Sequence, residues 1–114
     1  MSALKGANAA VMFLLEMAGY AAAVHWAWVT HDGALAQWGW TIAVLAVLVG
    51  AWARWGAPTA PAPVRGARRI VLEVCWFGSG ALALVLAGRV TWAAVFGAVF
   101  LVNLGLRARW GQLP

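Results

Sequence analysis

Two carboxylates stand inside otherwise apolar stretches of this chain, and they carry most of its chemical potential. Glu16 lies near the middle of an apolar run from Ala7 to about Val29, and Glu73 lies about one turn inside a later one. A carboxylate at the centre of a membrane helix costs roughly 2.5–3.5 kcal/mol on insertion scales, so it faces a protein interior or a wet cavity and takes part in function. Two carboxyls on neighbouring helices can act as general acid and base. A single deep carboxylate beside aromatic rings suits a lipophilic cation, through charge and cation–π attraction. The two acids differ in their sequence neighbours. Glu73 follows Arg69 by four residues on one helical face, where a local ion pair accounts for it, whereas no basic residue lies within a turn of Glu16.

Few other polar side chains interrupt the apolar runs. Asn8 and Asn103 sit near the same end as Glu73, and Glu16 is about nine residues, roughly 13 Å, from that end. Buried polar groups in an apolar medium must find one another, backbone or water, so these four are expected to cluster. Asn8 also reads as an interfacial cap and Asn103 as a hydrogen-bonding bridge between helices. Glu16, Gly19, Ala23 and Trp26 recur at three- and four-residue intervals, as do Phe96, Phe100, Asn103 and Arg107, and both series read as inward stripes. Ser79, Ala83 and Ala87 form a small-residue ridge suited to close helix approach. The expected ligand-binding set is Asn8, Glu16, Tyr20, Trp76, Phe100 and Asn103, with Glu16 and Glu73 as the catalytic pair if the protein is an enzyme.

These residues need helices to position them. The 114 residues are 65% hydrophobic and only 10% charged, with mean hydropathy +0.84, against about 25% charged residues in soluble domains. The fold class expected is all-α and integral to the membrane. Four apolar runs, about 7–29, 34–53, 70–88 and 91–107, predict one domain folded as a four-transmembrane-helix antiparallel bundle that pairs as a homodimer. Thr30-His31-Asp32-Gly33 breaks the first run. Three prolines alternating with small residues between Pro58 and Pro63 break the second, since proline cannot continue a helix. Gly88-Arg89-Val90-Thr91 makes a tight third turn, with Thr91 as the expected N-cap.

The net charge of +5 comes from residues that punctuate apolar runs instead of forming a basic face, which argues against nucleic acid as a partner. Lys5, Arg54, Arg65, Arg68, Arg69, Arg107 and Arg109 fall at one end, and Arg89 with Asp32 at the other. The positive-inside rule then predicts an inner-membrane, multi-pass protein with both termini cytoplasmic. Eight of nine tryptophans lie near helix ends as an aromatic belt, and Trp76 is expected inside the bundle. Cys75, the lone cysteine, reads as a packing residue. His25 and His31 share no helix face, so no metal site is expected, and no cofactor motif is present.

Asn8 with Phe13-Leu14-Leu15-Glu16, Trp55-Gly56-Ala57-Pro58, Arg69 with Glu73, and Asn103 together resemble the YrdB-like family of small bacterial four-helix membrane proteins. That resemblance implies class and topology, and no activity, since the family is a domain of unknown function. Glu16-Met17-Ala18-Gly19 is also similar to the acid-containing stretch of the small multidrug resistance transporters, which have four helices, one embedded Glu in the first and a dimeric state. Glu73 and the proline-rich basic loop depart from that pattern. The leading expectation is a protein that binds or transports a lipophilic or cationic small molecule at a Glu/aromatic site. The alternatives are an intramembrane enzyme using Glu16 and Glu73 on a lipophilic substrate, of cyclase, isomerase or epoxide-opening type, and an accessory subunit whose polar residues only specify packing.

Overall fold

A computed structural model describes residues 2–113. Four helices follow in order, α1 (Ser2–Val29), α2 (Ala34–Ala51), α3 (Ala67–Leu86) and α4 (Val90–Arg109), with no strand among the described residues. All four are long and apolar enough to cross a membrane. The short turns after α1 and α3 reverse the chain, and α1 packs against each of the other three helices.

Most helix ends differ by a few residues from the expected ones, and three of the differences have a clear cause. Helix α1 starts at Ser2, because Ala3, Leu4 and Lys5 are strong helix formers that a lone Gly6 does not interrupt. Helix α2 runs on through a π-helical turn, Trp52–Gly56, closed by a 2.7 Å bond from the Ala57 N–H to the Trp52 carbonyl. Helix α4 is capped at Arg89, two residues before the expected Thr91. Gly88 takes φ 79°, which a residue with a side chain adopts only under strain. That turn lets the N–H of Gly88 reach the Val85 carbonyl at 3.0 Å and the N–H of Arg89 reach that of Leu84 at 2.7 Å. These two bonds form a Schellman motif, which leaves the Arg89 carbonyl as the first acceptor of α4, at 2.9 Å from the Ala93 nitrogen.

Helices α1 and α3 approach closely at two glycines. A Cβ added at Gly80 would lie 3.4 Å from the Gly19 Cα, and one added at Gly19 would lie 2.7 Å from the Trp76 ring. The expected ridge does not make this contact. Ser79 is exposed and bonds the Cys75 carbonyl at 2.7 Å, and Ser79 and Ala83 border an open apolar groove of about 350 Å³ with Trp40, Val44 and Leu48 of α2. Cys75 is likewise exposed and is not a core packing residue.

The core is aromatic. Phe77 stacks on Phe100 with centroids 4.6 Å apart, and Trp76 meets Tyr20 edge-on at 5.2 Å. The Trp76 indole N–H donates to the Leu48 carbonyl at 2.9 Å, satisfying its polar atom and tying α3 to α2. The outer surface is apolar in turn, with Leu35, Ile42, Val47, Leu101 and Trp92 all exposed.

Candidate functional site

The polar residues of α1, α3 and α4 meet at the end where Lys5, Gln112 and the proline loop lie. Asn103 Nδ2 donates to the Asn8 carbonyl at 2.7 Å and to Asn8 Oδ1 at 2.8 Å. Asn8 Nδ2 returns a 3.3 Å bond to the Asn103 carbonyl, so the two amides bracket α1 and α4. Asn103 Oδ1 accepts from Arg107 Nε at 2.7 Å. Arg107 then turns its fork onto Glu73, donating from Nη1 to Oε2 at 2.9 Å and from Nη2 to Oε1. Arg69 Nε reaches the same Oε2 at 2.7 Å. Its Nη1 donates to the Gly56 carbonyl at 2.5 Å, and its guanidinium lies 4.9 Å from the Trp52 ring centroid.

Glu73 is fully buried between these two arginines. Bidentate, charge-assisted bonding of this kind offsets the cost of removing three charges from water. The expected local pair with Arg69 is present, and Arg107 joins it from α4. Asn8 is no interfacial cap, since it is buried and bonded to Asn103, which forms the expected bridge.

Glu16 stands apart from this network. It is half-buried and, among the described residues, is in neither ion pair. It borders a cavity of about 640 Å³. The proline loop folds back to help form it, with the Ala62 N–H on the Arg54 carbonyl and the Val64 N–H on that of Trp55, both at 3.1 Å. Pro58, Pro63 and Arg65 of this loop line the cavity with Met12, Phe13 and Glu16 of α1, Trp52 and Arg69. At the C-terminal end, Gly111 turns the chain at φ 69°. The N–H of Gln112 then bonds the Arg107 carbonyl at 2.8 Å, which brings Gln112 to the cavity wall.

Of the six residues expected to bind a ligand, only Glu16 lines this cavity. Asn8 and Asn103 are consumed by one another, Phe100 by its stack on Phe77 and Trp76 by its contacts to Tyr20 and Leu48. Tyr20 lies beside Trp76, away from the cavity. A shared acid–base site needs both carboxyls on one cavity, and Glu73 does not border it. The aromatic wall is Phe13 and Trp52 instead, and Arg69 already occupies the cation–π position on Trp52. The sequence reading missed Trp52, Arg65, Arg69, Arg107 and Gln112 as lining residues. Arg107 had a signal, its place on the Phe96–Phe100–Asn103 stripe. Gln112 had none, because a capping turn delivers it. Among the described residues no group of three His, Cys, Asp or Glu is placed to hold a metal.

Comparison with curated proteins gives no match, and neither does comparison with solved structures. A family model described as a protein of unknown function, DUF2568, matches residues 10–101. This span takes in Glu16, Trp52, the proline loop, Arg69 and Glu73, and ends just before Asn103 and Arg107. The chain belongs to the DUF2568 family of proteins of unknown function.

Proposed function

We propose that this protein is an integral membrane protein that binds a lipophilic or cationic small molecule, with Glu16 as the ligand-facing acid. The observation that carries this reading is a half-buried carboxylate, in no ion pair among the described residues, on the wall of a 640 Å³ cavity. A cavity of that volume is in the range of small-molecule sites. Phe13 supplies an apolar wall that is 58% exposed at the outer surface, so a hydrocarbon chain has a lateral way out.

Membrane insertion is supported by the four long apolar helices and by the exposed leucines, valines and isoleucines on the outer face. The basic asymmetry supports cytoplasmic termini, and the YrdB-like resemblance supports a bacterial inner membrane. The reading includes a homodimer. Helix α2, in which only Thr41 and Leu48 are buried, is the face most open to a second copy.

Calorimetric titration of the detergent-solubilised protein with dodecylammonium tests the binding claim. Saturable binding that falls at least about tenfold in Glu16→Gln, with helicity unchanged, is expected from the loss of one charge-assisted contact. Equal binding by Glu16→Gln would overturn it.

A further inference from the structure

The cavity wall carries polar groups of both signs, and together they describe a ligand. Glu16 is an acceptor with negative charge. Gln112 also lines the cavity and offers a second acceptor once its amide turns, because among the described residues its Oε1 is buried without a hydrogen-bond partner while its Nε2 donates to the Lys5 carbonyl at 3.4 Å. Unpartnered buried carbonyls of this kind cost free energy that a donor on a ligand would recover.

The basic groups are not all equally spent. Arg107 uses Nε, Nη1 and Nη2 on Asn103 and Glu73. Arg69 uses Nε and Nη1, and no bond among the described residues engages its Nη2. Arg65, on the exposed proline loop, has no ion-pair partner among the described residues. The cavity lining therefore holds two acceptors and two guanidinium groups with donors to spare.

We propose that the site recognises an ammonium–phosphate zwitterion, the headgroup chemistry of an aminophospholipid. This deepens the proposed function and rests on it. The ammonium has three N–H donors for Glu16 and Gln112, and the phosphate takes donors from Arg65 and from Arg69 Nη2. Arginine suits the phosphate because its planar fork matches the oxygens. A simple lipophilic cation satisfies only the acidic half of this wall. A simple anion satisfies only the basic half and meets Glu16 with like charge.

The test compares four probes in neutral detergent: lysophosphatidylethanolamine, lysophosphatidylglycerol, dodecylammonium and the chain-free glycerophosphoethanolamine. Wild type is expected to bind lysophosphatidylethanolamine about tenfold tighter than dodecylammonium or lysophosphatidylglycerol, the equivalent of one charge-assisted bond. Arg65→Glu is the decisive variant, since it lies on an exposed loop and reverses one charge. It should weaken lysophosphatidylethanolamine and strengthen dodecylammonium, whereas damage to the fold would weaken both.

Much weaker binding of glycerophosphoethanolamine assigns the headgroup to a lipid, and equal binding assigns it to a soluble phosphoamine with the same chemistry. If dodecylammonium binds and the zwitterion binds no tighter, or if Arg65→Glu moves both ligands in one direction, the zwitterion proposal is wrong and the Glu16 site stands. If no probe binds, both readings fall.

Discussion

Arg107 of α4 grips Glu73 of α3 with both terminal nitrogens of its guanidinium, and its Nε is held by Asn103 one helical turn away. This pairing separates the two glutamates of the chain into different jobs. Glu73 is enclosed by cations and ties three helices and the π-helical turn together. Glu16 is left facing a cavity.

Removing the charge of Glu73 should therefore be costly. Glu73→Gln leaves two buried arginines facing each other without an anion, and we predict a loss of about 3–5 kcal/mol, the usual consequence of breaking a buried pair. Equilibrium unfolding in mixed micelles measures it. A loss under about 1 kcal/mol would mean that the arginines escape to water and the network holds little.

Glycine at position 19 is required by the Trp76 ring, which would sit 2.7 Å from an added Cβ. Gly19→Leu should destabilise by about 1–3 kcal/mol or more through overpacking. The same substitution at Gly97, where an added Cβ meets nothing within 4 Å, should have little effect. Equal losses at the two sites would show that the Trp76 ring does not restrict position 19.

Much of the fold was legible from hydropathy and punctuation. Four apolar runs gave four helices, and the spacing of Phe96, Phe100, Asn103 and Arg107 gave the buried face of α4. The site was less legible for a physical reason. The inward stripe of α1 was read through Glu16 and Trp26, but the buried face runs through Asn8, Met12, Leu15, Gly19 and Ala23, with Glu16 at its edge. Edge position is what leaves the acid on a cavity. The remaining wall comes from a proline loop folded back by two backbone bonds and from a positive-φ turn at Gly111. Such long-range placements leave no periodic trace in sequence.

Topology gives an independent prediction. With Cys75 replaced by alanine, a cysteine at Gly33 should react with a membrane-impermeant maleimide on intact cells, and one at Thr59 should not. The motive is the basic asymmetry, with seven of eight Lys and Arg residues at the Thr59 end. Reaction at Thr59 alone would invert the orientation and place the Glu16 cavity on the outer side.

The most direct test of the division between the acids is chemical labelling of the carboxyls themselves. Purified protein in nanodiscs is treated with dicyclohexylcarbodiimide, which enters apolar sites, and the modified residues are read by peptide mass spectrometry. The account predicts modification at Glu16, protection of Glu16 by dodecylammonium, and no modification at Glu73 while the fold is intact. Labelling of Glu73 in folded protein, or labelling of Glu16 that dodecylammonium does not slow, would contradict it.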